Sequence, residues 1–142
     1  MEKLKEILTQ SPLRPIIHVD DDPVTLKLVN VSYQKSNLKN PYLPFQLAKN
    51  CLEHMKKVKL GTELMPALML IDINMPEMDG FEMITKLKQD PFFKCVPICK
   101  MLTSSDLQED KDMAKKLGVD SYLIKPNTPK GYVELFNSWS KS

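Results

Sequence analysis

The side chains best suited to chemistry in this sequence are carboxylates that directly follow apolar runs. Asp72 comes after the run 67–71, and Asp20 and Asp21 come after the run 15–19. A buried strand has no use for a carboxylate, because removing this group from water is costly unless a cation or a hydrogen-bond donor compensates it. We therefore expect the ends of these runs to serve a ligand that requires negative charge.

The elements that must position these residues follow from the pattern around them. Short apolar runs that end at polar or turn residues indicate buried strands. We predict strands at 15–19, 67–71, 98–102 and 119–124, and a weaker one at 45–48 after a loop at 35–44. Apolar residues between them recur at helical spacing, which indicates helices with one buried face. They are Val24, Leu28 and Val31; Cys51, Met55 and Val58; Met83 or Ile84 with Leu87; and the segments 106–117 and 132–139.

Strands that alternate with helices predict a parallel, doubly wound sheet with helices on both faces. Ligands of such sheets bind beyond the carboxyl ends of the strands. The polar residues that follow the predicted strands should therefore meet at one edge. They are Asp20, Asp21, Asp22, Asp72, Asn74, Thr103, Ser104 and Lys125.

This set of side chains favours Mg²⁺ and phosphoryl chemistry. Converging carboxylates repel one another unless a cation joins them, and a ligand set made only of oxygens selects Mg²⁺ over zinc. Magnesium shares oxygens with phosphoryl groups, and a nearby lysine and hydroxyl can neutralise and position what remains. Asp72 is then a candidate nucleophile that forms an aspartyl-phosphate.

Composition limits the other functions. The chain has 142 residues, is 42% hydrophobic and 27% charged, and carries a net charge of +2 from scattered lysines. This suits one globular domain and argues against a nucleic-acid groove, which gathers its cations on one face. No apolar run approaches the roughly 20 residues that span a bilayer, and no signal peptide is recognisable. We expect a cytoplasmic protein without direct contact with membrane or nucleic acid, and we expect Cys51, Cys95 and Cys99 to be free thiols.

Residues 1–12 precede the first predicted strand and carry apolar residues at helical spacing. Leu4, Ile7 and Leu8 could form a short helix that docks on the domain or on a partner. We therefore divide the chain into an N-terminal extension, 1–12, and a domain, 13–142.

Four motifs in order give the chain a specific resemblance to a known family. "HVDDDP" resembles the acidic pair of response-regulator receiver domains, the phosphoacceptor modules of two-component signalling. "LIDINMPEMDG" resembles their phosphorylation motif, "MLTSSD" their switch hydroxyl, and "YLIKP" their lysine-proline motif. The resemblance runs from about residue 15 to residue 139, and four matches in order are far more specific than one. It implies a single-domain receiver with the flavodoxin-like fold, (βα)5, in strand order 2-1-3-4-5.

The resemblance also implies a role for each site residue. Asp72 would accept a phosphoryl group; Asp21 would bind Mg²⁺ directly, and Asp20 chiefly through water. Asn74 would offer its backbone carbonyl to the metal, and Lys125 would pair with the phosphoryl group. Two residues would act as switches: Thr103, which would move to hydrogen-bond the phosphoryl group, and Tyr122, which would then turn inward.

Partners follow from the same resemblance. The phosphoryl donor would be phosphohistidine on a sensor histidine kinase or a histidine phosphotransfer protein. The chain would be a signalling domain, not an enzyme, although it assists its own phosphorylation and dephosphorylation. The output face, and a possible homodimer, would use the predicted fourth helix 106–117, the fifth strand 119–124 and the fifth helix 132–139. We expect no further domain after Ser142, so the signal would pass to a downstream protein.

Some features depart from the family pattern. Lys100 interrupts a strand that should be buried, and we expect a bulge that turns this lysine to the edge of the sheet. Ser104 replaces a smaller residue beside Thr103, which bears on phosphoryl lifetime, and Asn127 stands where an apolar residue is usual. The family's proline motif leads us to expect a cis Lys125–Pro126 peptide bond.

Two alternatives come from other functional classes. "DDDPV" also fits the nucleophile motif of haloacid-dehalogenase-type phosphatases, with Asp20 attacking and Asp22 as general acid. Such enzymes place a further acidic pair after their lysine, where this chain offers only Glu134. A receiver-like binding module that is never phosphorylated fits poorly, because no site residue is missing. We expect Asp22 to cap a helix and Asp79 to lie in a turn, both outside the chemistry.

Overall fold

A computed structural model describes residues 2–140 and contains five strands and six α-helices. The strands are β1 (Ile16–Val19), β2 (Tyr42–Phe45), β3 (Leu68–Ile71), β4 (Ile98–Thr103) and β5 (Ser121–Ile124). The helices are α1 (Glu2–Gln10), α2 (Pro23–Gln34), α3 (Ala48–Leu60), α4 (Gly80–Lys88), α5 (Gln108–Lys116) and α6 (Pro129–Ser138), with a 3-10 turn at Pro91–Phe93. The first residue of the predicted extension and the last two of the predicted domain lie outside the described residues.

The five strands form one parallel sheet in the order β2-β1-β3-β4-β5, which confirms the predicted fold. In the shared register, Val19 lies beside Ile71 and Ile71 beside Met101, so β1 and β3 end level and β4 continues to Thr103 at the same edge. This alignment carries the residues that follow those strands to one edge. Two apolar clusters cover the two faces of the sheet, one beneath α3 and α4 and the other beneath α1, α2 and α6.

Helix boundaries are explained by local capping. Asp22 accepts a hydrogen bond from the Val24 amide at the start of α2, as expected for an N-cap, and Asp79 caps α4 by accepting from the Glu82 amide. The conformation of Gly118, with φ of 78°, suits the turn after α5. Leu107 is the N-cap residue of α5.

Two elements differ from the sequence prediction. Tyr42–Phe45 form β2, so three of its residues lie in the predicted loop and only Phe45 in the predicted strand. An edge strand tolerates proline, here Pro44, because one of its sides needs no ladder partner. Helix α2 buries the face with Leu26, Val29 and Tyr33, whereas the predicted apolar face, Val24, Leu28 and Val31, is exposed. Both faces are apolar, and contact between α2 and α6 decides which one is covered.

The expectation of a bulge at Lys100 is wrong. Lys100 lies in an unbroken register between Leu70 of β3 and Ser121 of β5, and its side chain is 1% exposed. Its ammonium group donates to the Asp120 carboxylate and, at 2.8 Å, to the Ser121 hydroxyl. The same Nζ lies 5.8 Å from the centre of the Trp139 ring. These partners compensate the cost of burying the charge, so the strand needs no distortion.

Helix α1 packs on the domain through its apolar face. Leu4 and Leu8 are buried in the cluster that also contains Phe136 and Trp139. The segment after the helix is fixed by Asn40, whose side-chain amide donates to the carbonyl of Ser11. Among the described residues, no helix combines the length and the apolar character that crossing a membrane requires.

Candidate functional site

Two loops bring the predicted carboxylates together at the carboxyl ends of β1 and β3. Asp20 and Asp21 follow β1, and Asp72 follows β3, which is the neighbouring strand in the sheet. Each offers a carboxylate oxygen, and these oxygens all lie within 4.8 Å of one another. Asp20 is fully buried, Asp72 is 6% exposed, and Asp21 is partly exposed. We call these three residues, together with Lys125, the acidic rim.

Lys125 provides the positive charge within the acidic rim. Its Nζ lies 2.7 Å from Asp20 Oδ2 and 3.2 Å from Asp72 Oδ2. Lys125 comes directly after β5, and its backbone amide donates to the Thr103 carbonyl, which fixes the position of the side chain. One ammonium group faces three carboxylates, so the acidic rim retains an excess of negative charge.

Local hydrogen bonds hold the two buried carboxylates in place. The Asp22 amide donates to Asp20 Oδ1 at 2.9 Å, and the Ile73 amide donates to Asp72 Oδ1 at 2.8 Å. In each residue the second oxygen, Oδ2, is the one that faces Lys125. The backbone therefore orients both carboxylates toward a shared space.

Electrostatic surroundings shift the protonation of the acidic rim. Burial raises the pKa of the Asp72 carboxyl above its usual value; Lys125 opposes this shift and the charge of Asp20 adds to it. Burial alone would lower the pKa of Lys125, but the hydrogen bond and the charge of Asp20, followed by Asp72, raise it overall. A cation at the carboxylates would favour the ionised form of Asp72.

The residues present fit a hard divalent cation. All three acidic side chains offer oxygen ligands, and their separations allow one ion to reach them together. Asn74 lies two residues beyond Asp72 with its side chain exposed, so its contribution would come from the backbone, as the resemblance implies. The chemistry of this donor set matches Mg²⁺ or Mn²⁺ better than zinc.

Thr103 ends β4 beside the acidic rim and is fully buried. Its Oγ1 accepts a hydrogen bond of 3.3 Å from the Ser105 amide. The Tyr122 hydroxyl, predicted to be a switch, donates to the Ser105 carbonyl at 2.8 Å. Ser105 Oγ in turn donates to Asp110 of α5. Ser105 therefore connects both switch candidates to a helix.

Sequence reasoning did not single out Ser105. The residue lies in the quoted "MLTSSD" motif, and a third consecutive hydroxyl after a strand is the signal that could have identified it. Its bonds to Tyr122 and Asp110 depend on tertiary contacts that the motif does not encode.

The turn after β3 packs tightly against the acidic rim. A Cβ atom added at Gly80 would lie 2.2 Å from the carbonyl oxygen of Asp72, so the position requires glycine. The Gly80 amide donates to the Ile73 carbonyl at 2.9 Å. The start of α4 is thus fixed directly to the backbone of the acidic rim.

One expectation about the lysine-proline motif is wrong. Lys125–Pro126 is trans, and the cis peptide bond found within 2–140 is Val96–Pro97. Ser104 and Asn127, the two departures from the family pattern, both have exposed side chains.

A doubly wound parallel sheet with an acidic cluster and a lysine at its carboxyl edge defines a class of α/β phosphoacceptor proteins. The family model described as "Response regulator receiver domain" matches residues 16–137. The chain therefore belongs to the receiver domain family of response regulators, which are the phosphoacceptor components of two-component signalling.

Individual relatives are consistent with this family. The chain is 31% identical over 124 residues to an uncharacterized 14.6 kDa protein of Leptolyngbya boryana, covering 87% of this chain and 88% of the relative. It is 28% identical over 111 residues to the DNA-binding dual master transcriptional regulator RpaA of Synechocystis, covering 78% of this chain and 42% of that protein. Some relatives are therefore much longer than the matched segment.

A solved structure shares the fold. The Mn²⁺-bound form of response regulator Rcp1 superposes with a TM-score of 0.74 at 24% identity, covering 88% of this chain and 90% of that one. At this identity the likeness supports the fold alone.

Proposed function

We propose that Asp72 accepts a phosphoryl group from a phosphohistidine and that the acidic rim provides the metal site and the counter-charge. The observation that carries this proposal is the meeting of three carboxylates within 4.8 Å of one another around Lys125 Nζ. Asp72 is the carboxylate best suited to accept the group, because it is buried and contacts both Lys125 and Thr103. Asp20 and Asp21 are then left to hold a cation.

The transfer is a substitution at phosphorus. An Asp72 carboxylate oxygen forms the new bond to phosphorus, and the phosphorus–nitrogen bond of the phosphohistidine breaks. The electron pair of that bond returns to the imidazole nitrogen of the donor. Lys125 neutralises charge on the transferred group, in keeping with the dependence of phosphoryl transfer on positioning and electrostatic stabilisation.

We assign the metal-binding role to Asp20, Asp21, Asp72 and the backbone carbonyl of Asn74. Mg²⁺ bound there supplies charge neutralisation for the phosphoryl oxygens. The structure of Rcp1 with Mn²⁺ supports a divalent ion for a protein of this fold. Asp21 is partly exposed and close to solvent, which suits a residue that admits the ion.

The response is a shift between two conformations that Thr103 controls. When Thr103 Oγ1 turns to a phosphoryl oxygen, it gives up the hydrogen bond from the Ser105 amide. The hydrogen bonds that Ser105 makes with Tyr122 and Asp110 then rearrange, so the movement reaches α5 and β5. The face formed by α5, β5 and α6 carries the signal to a downstream protein, and a homodimer could use the same face.

The exposed apolar side of α2 suits the phosphoryl donor. Val24, Leu28 and Val31 are 73%, 38% and 49% exposed, and α2 begins two residues after Asp21. This surface is continuous with the acidic rim, so a protein that docks there presents its histidine to Asp72. We infer that a sensor histidine kinase or histidine phosphotransfer protein docks on this face, in the cytoplasm.

Intact-mass measurement tests the chemistry. We expect a phosphoryl adduct when the protein is incubated with Mg²⁺ and acetyl phosphate, and no adduct with EDTA. Asp72→Asn removes the adduct, whereas Asp79→Asn, which changes a helix-capping carboxylate, retains it. A Mg²⁺-dependent adduct that persists in Asp72→Asn would refute the assignment of the nucleophile.

A second comparison tests the docking face. Val24→Asp combined with Leu28→Asp slows phosphorylation by a phosphorylated kinase or phosphotransfer protein but leaves phosphorylation by acetyl phosphate unchanged. Both residues are exposed, so the fold tolerates the change. Equal transfer to wild type and variant from the protein donor would reject this face while leaving the role of Asp72 intact.

The phosphatase alternative is poorly supported by the geometry. The hydrogen bond from Thr25 and then that from the Val24 amide lower the pKa of Asp22, which is opposite to the requirement of a general acid. Asp22 is also engaged as the N-cap of α2. Steady turnover of small phosphate esters, lost in Asp20→Asn, would favour the phosphatase.

A further inference from the structure

A groove between α3 and α4 opens onto the apolar core of one face of the sheet. Its volume is about 570 Å³. Met55, Leu87 and Phe93 line it and are 1%, 4% and 4% exposed, so they belong to the packed interior. Leu60, at the end of α3, also lines the groove and is 78% exposed. An exposed leucine beside a cavity lined by core residues is typical of a binding surface.

Lysines surround this apolar groove. Lys56 and Lys59 of α3 and Lys86 of α4 all line it, against a single acidic residue, Asp90. Lys59 lies 2.7 Å from Asp90 and Lys56 lies 2.9 Å from Glu53, with the two lysine side chains 51% and 71% exposed. Exposed ion pairs of this kind contribute little and exchange readily with other carboxylates. The three lysines outnumber the two carboxylates that pair with them, so the groove offers a modest excess of positive charge around an apolar floor.

The groove lies away from the acidic rim. In a parallel α/β fold each helix starts near the carboxyl end of the preceding strand and runs back along the sheet. The lining residues come from the later part of α3, the last turns of α4 and the 3-10 turn that follows. They thus lie toward the opposite edge of the sheet. Neither the phosphoacceptor chemistry nor the α5, β5 and α6 face uses this groove.

We propose that the groove between α3 and α4 binds an acidic amphipathic helix of a partner protein. Apolar side chains spaced at i, i+3 or i+4 and i+7 on one helix would enter the groove. Glutamates or aspartates flanking that apolar stripe would meet Lys56, Lys59 and Lys86. Charge complementarity selects this occupant, because three lysines around an apolar floor disfavour a basic helix.

Two other occupants fit the groove less well. Nucleic acid would meet the lysines but would leave the apolar floor without a partner, since phosphates dominate such contacts. A second copy of this chain would have to bring α5, which carries Glu109, Asp110 and Asp112, onto the groove. That contact would join two different surfaces, so it would have to form twice about a two-fold axis to close into a symmetric dimer.

The test uses a synthetic peptide of about 18 residues, or five helical turns, with leucines on one face and glutamates beside them. It is labelled and titrated with the full chain, and fluorescence anisotropy is followed. We expect saturable binding to wild type. A peptide with every glutamate replaced by lysine should bind at least tenfold more weakly.

Matched variants locate the contact. Lys59→Glu with Lys86→Glu reverses two lysines in the last turns of α3 and α4, and should weaken peptide binding at least tenfold. Lys115→Glu with Lys116→Glu makes the same charge change in the last turn of α5, and should leave binding within about twofold of wild type. Leu60→Ser should weaken binding about fivefold by removing an exposed apolar contact. Circular dichroism confirms that each variant is folded.

Several results would overturn the proposal. They are no saturable binding by wild type, equal binding of the acidic and basic peptides, and equal weakening by both lysine pairs. Tighter binding of a single-stranded RNA than of the acidic peptide would also reject it, as would concentration-dependent self-association that Lys59→Glu with Lys86→Glu abolishes. Asp72→Asn should bind the peptide like wild type, so the two proposals fail independently.

Discussion

Two lysines of low exposure, one inside β4 and one directly after β5, have opposite surroundings. Lys125 follows β5, and its Nζ faces Asp20 and Asp72 in a cluster with a third carboxylate, Asp21. Lys100 lies inside β4 and is matched by one carboxylate, Asp120, with the Ser121 hydroxyl completing its contacts. The first lysine belongs to a cluster with excess negative charge. The second belongs to a balanced pair.

The comparison separates a site from a structural ion pair. A cluster with unbalanced charge gains stability from an added cation, and it can also accept an anion once that cation is bound. A balanced and saturated pair gains nothing from either. Low exposure and an ion pair with a carboxylate are common to both lysines, so these properties alone do not identify a functional residue.

The largest difference between the two lysines should appear in phosphorylation. Lys125→Ala should slow formation of the acetyl-phosphate adduct by between about a hundredfold and a thousandfold, the range typical of losing one charged group that stabilises a transferring group. Lys100→Met should keep the wild-type rate. Initial rates from intact mass provide the measurement, and equal slowing in both variants would remove the distinction.

For the free energy of unfolding, the larger effect should come from replacing Lys100 and not from replacing Lys125. Lys100→Ala should lower the free energy of unfolding by about 2 kcal/mol, because it removes a buried side chain and its ion pair. The loss stays below that of a fully buried pair, since Asp120 is 44% exposed and regains water. Lys100→Met should recover most of it by filling the space. Urea unfolding measures the free energy of unfolding of both variants. An unchanged value for Lys100→Ala would contradict the structural role of this lysine.

His18 is another buried titratable group. Its imidazole contacts a hydroxyl group, whereas the two lysines pair with carboxylates. Its Nδ1 lies 2.6 Å from Tyr42 Oη, and burial lowers the pKa of His18 to about 4 from its usual 6.5. Between about pH 4 and pH 6.5 the imidazole is protonated in the unfolded chain but neutral in the folded chain. Stability is therefore full above pH 6.5 and is lost as pH falls toward 4.

His18→Leu should remove that part of the pH dependence. Between pH 7 and pH 5 we expect the wild type to lose between about 1 and 2 kcal/mol more unfolding free energy than the variant. Urea unfolding in EDTA provides the measurement, with Tyr42→Phe as the control that retains the buried imidazole. Parallel pH curves for wild type and His18→Leu would show that the imidazole is not held neutral.

The smallest effect should come from the metal. Mg²⁺ at about five times its dissociation constant should raise the free energy of unfolding by about 1 kcal/mol. Asp21→Asn should abolish this increase, while Lys100→Met should retain it. Thermal unfolding with Mg²⁺ and with EDTA measures the change, and stabilisation of Asp21→Asn equal to that of wild type would remove Asp21 from the metal site.

The residues of the acidic rim were predictable because strand ends are visible in the sequence. Asp20, Asp72 and Lys125 each stand where an apolar run gives way to polar residues, and the parallel topology brings such positions together. The order of the strands followed from the resemblance. These inferences need only the local pattern and one rule of topology.

Other features depend on packing between distant elements. Helix α2 carries apolar residues on two sides, so its buried face follows from where α6 lies. Lys100 can remain in its strand because Asp120 and Trp139 lie in contact with it, and neither contact has a signature in sequence. Tyr42 was placed in a loop because the prolines around it conceal a short edge strand.

The close contact at Gly80 has a consequence for how a signal can leave this domain. With no space for even a methyl group between α4 and the Asp72 carbonyl, that side of the pocket behaves as a fixed wall. On the opposite side, the Thr103 hydroxyl accepts one long bond from the Ser105 amide and also lies close enough to the Asp72 carboxylate to lower its pKa, so its contacts respond directly to a change at Asp72. The pocket can therefore deform only on the side of Thr103, and any displacement produced at Asp72 is directed toward β4 and α5.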